Sequence, residues 1–123
     1  MAPPRRVIRV ASQLYFNPSC SKCRTAQALL DERGVRSEII RYLDTPPTHS
    51  DLERLMQLLE IDDARLMMRT GEPIYTELGL SDASPDDLLR AITTHPILLE
   101  RPIFVVGGRA VVARPPERVL ELL

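Results

Sequence analysis

Cys20 and Cys23 are the only cysteines in the chain, and both lie in the stretch Asn17-Pro18-Ser19-Cys20-Ser21-Lys22-Cys23-Arg24. An apolar run precedes this stretch and a helical pattern follows it. A thiol at the start of a helix is held where the positive end of the helix dipole favours its thiolate. The spacing of the two cysteines, directly after a predicted strand, is typical of a redox pair. We therefore predict Cys20 as a nucleophile and Cys23 as a candidate resolving thiol.

Two other interpretations of the cysteines need weighing. Cys23 falls on the apolar side of the predicted helix, where a buried cysteine can serve simply as a small hydrophobic residue. A zinc site would need His49 and His95 as further ligands, and these two histidines lack the spacing of a metal site. We predict no metal. Lys22 and Arg24 add positive charge beside Cys20 and should favour its thiolate.

The elements around this stretch form a βαβ unit. Residues 12–16 read as a buried strand, which residues 7–10 could extend. The helical pattern begins at Cys20 and stops at Gly34, and residues 35–43 alternate as a second strand. Short connections of this kind predict that the two strands are parallel.

The remainder of the chain is predicted as helices, then a hairpin, then a last helix. Residues 48–94, approximately, form an all-helical insertion, which starts with a capping box at either Ser50 or Thr48. A short helix is expected over residues 64–69, and another begins at Ser84-Pro85. Two apolar runs joined by Gly107-Gly108 predict a β-hairpin, and residues 116–123 predict a final helix. This order is thioredoxin-like and predicts one α/β domain over residues 1–123, with a mixed sheet and a lead-in over residues 1–11.

The composition narrows the classes of function. The chain has 123 residues, of which 44% are hydrophobic and 27% charged, and its net charge is −1. A near-neutral chain of this kind is not expected to bind nucleic acid. No apolar run reaches the roughly 20 residues that a membrane-spanning helix needs. We expect a cytoplasmic protein, in which paired cysteines more often serve redox chemistry than structural bridging.

Distant segments add a second set of chemical residues. A proline that opens a strand often marks a cis bond or a close approach, so Arg101-Pro102 is expected beside the reactive thiol. The chain also contains Arg69 and the segment Ala113-Arg114-Pro115-Pro116-Glu117. With Asn17-Pro18-Ser19-Cys20 and Glu100-Arg101-Pro102-Ile103, in this order, the sequence resembles the ArsC family of arsenate reductases. The resemblance covers residues 14–123 and is nearest to the YfgD-type branch.

The resemblance implies roles for these residues. Cys20 would attack arsenate, and three arginines would hold the oxyanion. Arginine suits that task because its fork of donors matches tetrahedral oxyanions. No bound cofactor is implied; glutathione or thioredoxin would be the reducing co-substrate, with glutaredoxin or thioredoxin as protein partner. Arg65 is expected to be a solvated helix residue rather than a ligand. The oxyanion-binding residues are Arg69, Arg101 and Arg114, and the supporting residues are Asn17, Lys22, Arg24 and Pro102.

Two departures from the family pattern keep alternatives open. Phe16 stands where many members carry a histidine, so activation of Cys20 is assigned to the helix, to Lys22 and Arg24, and to the arginine cluster. Cys23 makes a pair where many members have one cysteine, which leaves the reductant open. The alternatives are an Spx-like redox switch that binds RNA polymerase and a glutaredoxin-like disulfide reductase. The segment Arg114-Pro115-Pro116-Glu117 near the end of the sequence favours the arsenate reductase over the Spx-like regulator, whose pattern lacks it.

Overall fold

The computed structural model describes residues 11–123, so the predicted extension of the first strand over residues 7–10 lies outside the described part. A four-stranded sheet carries helices on both faces. The strands are β1 (Ser12–Tyr15), β2 (Glu38–Ile40), β3 (Ile103–Val106) and β4 (Arg109–Val112). The α-helices are α1 (Ser21–Glu32), α2 (His49–Leu59), α3 (Pro73–Glu77) and α4 (Pro85–Thr94). The 3₁₀ helices are Ala64–Met67, Leu80–Asp82, Pro96–Leu98 and Pro116–Leu122.

The sheet is mixed, with the strand order β2-β1-β3-β4. β1 and β2 run parallel, while β3 is antiparallel to both β1 and β4. The β3–β4 hairpin turns at Gly107 and Gly108, whose φ values of 58° and 78° fall in the left-handed region that glycine adopts without steric cost. A βαβ unit followed by a ββ hairpin and a closing helix confirms the predicted thioredoxin-like fold.

Alternation along the strands builds two hydrophobic clusters, one on each face of the sheet. Leu14, Phe104 and Val111 point to the face that α1 and the last 3₁₀ helix cover. Tyr15 and Ile103 point to the opposite face, where the helices between β2 and β3 pack. The helices between β2 and β3 thus form one whole layer of the protein, packed against this face of the sheet.

The second strand is shorter than the sequence predicted. Only Glu38–Ile40 pairs with β1, whereas the expectation was residues 35–43. Val35 instead donates its N–H to the carbonyl of Leu30 and closes α1, at 2.9 Å. Beyond the strand, the amides of Asp44 and Thr45 both bond the carbonyl of Arg41, so the chain turns there. Alternation of side chains cannot reveal which backbone groups find a partner strand.

The helices follow their local signals with small differences. Of the two predicted starts for α2, Thr48 is the N-cap, with a complete capping box to Asp51. The helical elements between β2 and β3 run on to Leu98, beyond the predicted end near residue 94, and the last helix is a 3₁₀ helix rather than an α-helix. Among residues 11–123, no helix combines the length and apolar character needed to cross a membrane.

Arg65 is not the solvated helix residue that was expected. Its guanidinium donates to the hydroxyl of Tyr75 at 3.0 Å and to the carbonyl of Leu80 at 2.8 Å. It also bonds the carbonyls of Ser81 and Ala83, and the carboxylate of Asp63. Several acceptors separated by 10 to 18 residues converge on one side chain. Arg65 therefore ties the 3₁₀ helix Ala64–Met67 to the turn that follows α3.

Replacing Arg65 by methionine should lower the melting temperature, by an amount of the order of 5–10 °C for a domain of this size. Methionine keeps the apolar stem but leaves the carbonyls without their donor. Thermal unfolding followed by circular dichroism measures the shift. Arg90→Met is the matched control, because the exposed guanidinium of Arg90 bonds only the carboxylate of Asp87 within residues 11–123. Equal melting temperatures for the two variants would contradict the assignment.

Candidate active site

The reactive residues meet at one edge of the sheet. The parallel strands β1 and β2 both end there, and β3, which runs the other way, begins there. The loop that leaves β1 is compact: the Cys20 amide donates to the carbonyl of Asn17 at 3.0 Å, and the Asn17 side chain accepts from the Ser19 amide at 3.0 Å. The Arg24 guanidinium reaches back to the Pro18 carbonyl at 2.8 Å. These contacts fix where the Cys20 thiol sits.

Cys20 is the N-cap residue of α1 and is partly exposed. Burial acts to raise the pKa of its thiol. The backbone N–H and the thiol of Cys23, together with a hydrogen bond and the positive charge from Arg101, outweigh burial and lower the pKa of Cys20 below its ordinary value of 9.0. Cys20 is therefore the thiol of the pair that ionises first.

Cys23 lies one turn into α1 and is fully buried. Burial is the main reason that the pKa of its thiol rises from 9.0 to about 12. The neighbouring Cys20 adds to the rise, while a hydrogen bond from the Asn17 backbone and the charge of Arg101 oppose it. Near neutral pH the pair thus consists of a reactive thiol and a protonated neighbour.

This difference predicts the pH dependence of alkylation. Because the pKa of Cys20 is lowered, its thiolate forms at lower pH, and its rate of reaction with iodoacetamide should reach half its maximum below pH 9.0. Cys23 should stay unmodified across the same range. Mass spectrometry of peptides after timed alkylation measures both rates. A half-maximal Cys20 rate at or above pH 9.0 would contradict the lowered pKa.

Arg101 is the arginine that acts on Cys20. It precedes Pro102 across a cis peptide bond, in agreement with the prediction for this proline, and Pro102 is buried. The Nε atom of Arg101 is buried and has no hydrogen-bond partner among residues 11–123. Buried polar donors are nearly always bonded, so this unpaired donor is an exception that a bound acceptor would remove.

Arg69 and Arg114 both contact the segment that leads into Pro102. The amide of Arg69 donates to the carbonyl of Leu98 at 2.7 Å, within a short antiparallel contact that also pairs Met68 with Leu99. Arg69 lies just beyond the 3₁₀ helix Ala64–Met67, and not inside a helix as predicted. The Arg114 guanidinium donates to the carbonyl of Arg101 at 2.9 Å. The segment of residues 98–102 thus meets the backbone of Arg69 and the guanidinium of Arg114, while the guanidinium of Arg69 bonds Glu72.

Two carboxylates that the sequence analysis did not single out accompany the arginines. Glu72 bonds Arg69 at 2.9 Å, and Glu100 lies 3.7 Å from Arg114 and accepts from the Arg101 amide at 3.3 Å. The i,i+3 spacing of Arg69 and Glu72 was a signal that could have found the first pair. The pairing of Glu100 with Arg114 joins residues that are distant in sequence, and only the fold reveals it.

Tyr42 is a further neighbour that the sequence analysis missed as a site residue. Its side chain is almost fully buried, and burial raises the pKa of the phenol to about 12. Arg101 opposes this rise, while Cys23 and Cys20 add to it, so the phenol lies within electrostatic range of all three. Tyr42 follows β2 by two residues, which places it at the sheet edge where the thiols lie.

Other predicted supporting residues hold different positions. Lys22 is exposed, and Arg24 uses its guanidinium to hold the loop through Pro18. Their contributions to the thiolate stay predictions. Phe16, at the position of the family histidine, packs into the cluster beneath α1. Among residues 11–123 no group of three or more histidine, cysteine or acidic side chains is arranged to hold a metal.

Comparison with known proteins identifies the family of the chain. The family model described as "ArsC family" matches residues 15–122. The chain belongs to the ArsC family. A curated protein from Neisseria meningitidis serogroup A, named arsenate reductase, is 47% identical over 90% of this chain and 97% of its own. The YfgD protein of Escherichia coli K12, described as uncharacterized, is 43% identical over 90% of this chain and 95% of its own. A solved structure named arsenate reductase, from Vibrio cholerae, is 46% identical and superposes with a TM-score of 0.90, over 93% of this chain and 98% of its own.

Proposed function

We propose that this protein is an arsenate reductase. One observation carries the proposal: the partly exposed Cys20 thiol, whose pKa Arg101 helps to lower, caps the N-terminus of α1, and the buried Nε of Arg101 has no acceptor among residues 11–123. The backbone amide of Arg69 and the guanidinium of Arg114 bond the segment that leads into Pro102. A nucleophilic thiol together with arginine guanidinium groups suits a substrate that is both an electrophile and a tetrahedral oxyanion. The names of relatives in N. meningitidis and V. cholerae support arsenate as that substrate.

In the proposed reaction, the Cys20 thiolate attacks the arsenic atom of arsenate. An S–As bond forms, and an As–O bond breaks to release hydroxide or, after protonation, water. Arg101, Arg69 and Arg114 bind the remaining oxygens and stabilise their charge. Each charge-assisted hydrogen bond contributes about 1.5–3 kcal/mol, so the set decides whether the anion stays at the thiol. The N-terminus of α1 adds favourable dipole charge.

A second thiol completes the reduction. When a thiol attacks the Cys20 sulfur, an S–S bond forms and the S–As bond breaks with its electron pair on arsenic. Arsenic thereby passes from the +5 to the +3 state, and two thiols supply the two electrons. Glutathione with glutaredoxin, or thioredoxin, are the reductants proposed for this step, and no bound cofactor is required.

The test is arsenate-dependent oxidation of NADPH by the purified full chain. One assay contains glutathione, glutaredoxin and glutathione reductase; the other contains thioredoxin and its reductase. We expect turnover with arsenate in at least one assay, and none when phosphate replaces arsenate, because the S–P adduct cannot be reduced. Absence of arsenate-dependent oxidation in both assays would overturn the proposal.

The adjacent thiols favour a second candidate, a glutaredoxin-like reductase of small disulfides. Cys20 and Cys23 are close enough to shift each other's pKa, as a dithiol for disulfide exchange requires. Such exchange has no need of an oxyanion site. Reduction of hydroxyethyl disulfide separates the two functions: disulfide turnover that survives Arg69→Lys and Arg114→Lys, without any arsenate turnover in the parent, would favour the second candidate.

A further inference from the structure

Cys23 is a buried nucleophilic group to which the proposed attack on arsenate gives no role. It is fully buried within a cluster that includes Leu14, Phe16 and Phe104. Cys20 is its neighbour, because Cys20 is the N-cap of the same helix, one turn earlier, and packs against this cluster. An external molecule reaches Cys20, which is partly exposed, and cannot reach Cys23. Any reaction of Cys23 in the folded protein is therefore directed at the Cys20 sulfur.

We propose that Cys23 is the resolving thiol of this protein, which reduces the arsenate adduct on Cys20 and leaves a Cys20–Cys23 disulfide. This inference rests on the proposed function. The Cys23 sulfur attacks the Cys20 sulfur, and its proton passes to an oxygen of the departing arsenic group. The S–S bond forms as the S–As bond breaks, and its electron pair stays on arsenic, which leaves as arsenite. An external dithiol of the thioredoxin class then reduces the disulfide and restores both thiols.

The surroundings of Cys23 impose an order on the two steps. While Cys20 is a thiolate, its charge opposes ionisation of Cys23, so Cys23 stays protonated and does not compete for the substrate. The attack on arsenic removes that charge from the Cys20 sulfur and transfers it to oxygens that the arginines bind. The Asn17 backbone and Arg101 continue to favour the Cys23 thiolate. Burial, the main cause of the raised pKa of Cys23, remains, so this pKa should fall only by the part that the Cys20 thiolate contributes once the adduct exists.

The position of Cys23 also predicts the class of external reductant. The disulfide would expose only its Cys20 sulfur, so the external thiol must attack there and displace Cys23. A monothiol would form a mixed disulfide with Cys20, which the adjacent Cys23 would reverse. A dithiol avoids this reversal because its second thiol attacks the mixed disulfide and releases reduced Cys20. We therefore expect thioredoxin to support faster turnover than glutathione.

A single-turnover experiment tests the role of Cys23. Fully reduced protein is mixed with arsenate under anaerobic conditions with no added thiol, beside a sample without arsenate that gives the background. Arsenite is measured by chromatography, and free thiols are counted after denaturation. We expect the wild type to release one arsenite per chain and to lose both thiols. Cys23→Ser should release at least about tenfold less arsenite, because its Cys20 adduct has no neighbouring thiol.

The outcomes separate this inference from the proposed function. Wild type that releases no arsenite and keeps both thiols, yet turns over with glutathione, would overturn the role of Cys23 and leave the arsenate reductase intact. Arsenite release by Cys23→Ser equal to that of the wild type would also overturn it. Failure with every reductant would instead remove the proposed function. Cys23→Ala, and alkylation of Cys20 in both variants, show that the changes preserve the fold and the first thiol.

Discussion

Replacing Cys20 by serine is expected to reduce arsenate turnover by about four orders of magnitude or more, because the proposed chemistry proceeds through a covalent bond to this sulfur. A serine hydroxyl does not ionise near neutral pH. It also cannot donate the electron pair that reduces arsenic, since no disulfide can form from it. The measurement is arsenate-dependent NADPH oxidation with the thioredoxin and the glutathione systems in turn.

Two further variants make the result specific to the sulfur. Ser21→Ala is the matched control, because Ser21 is the exposed first residue of α1, directly beside Cys20. It should retain full turnover. Calorimetry should show that Cys20→Ser binds arsenate almost as tightly as the parent does, because the arginines remain. Turnover by Cys20→Ser within a few fold of the parent would show that the reaction does not use this thiol.

Local signals were sufficient for most of the fold. The start of α1 at Cys20, the N-cap Ser84 and the glycine turn of the hairpin are decided within a few residues of chain, whereas the start of α2 stayed open between Ser50 and Thr48 until the structure gave Thr48. Such features depend on backbone geometry and capping, which nearby residues control. The length of β2 depended instead on which amides meet β1. Side-chain alternation does not contain that information.

The candidate site likewise contains some residues that the sequence revealed and others that only the structure revealed. The thiols and the three arginines stand in recognisable motifs, so the resemblance to a family found them. Arg65, Glu100 and Tyr42 acquire their contacts from residues far along the chain, and no local pattern distinguishes them from ordinary surface or core residues. Long-range pairing of this kind is decided by packing of the helical layer against the sheet, and it becomes visible only in three dimensions.

The second large effect is expected at Arg101. Arg101→Lys should lower kcat/KM for arsenate by about 100-fold, because lysine keeps the charge but loses the fork that includes the unpaired Nε. The same change should raise the pKa of Cys20, since Arg101 is one of the groups that lower it. Steady-state kinetics give the first effect, and the pH profile of Cys20 alkylation gives the second. A purely structural role for Arg101 would leave that profile in place.

The three arginines should not be equivalent. Glu72 already occupies a donor of Arg69, and Glu100 lies beside Arg114, so an arriving oxyanion must share these two cations with carboxylates. Arg101 offers a buried donor with no competitor, and losing it should therefore cost more than losing either of the others. Arg90→Lys, at an exposed position, is the control for a general change of arginine to lysine. Equal losses for Arg69→Lys, Arg101→Lys and Arg114→Lys would contradict this ranking, and would mean that Glu72 and Glu100 leave the arginines when the anion binds.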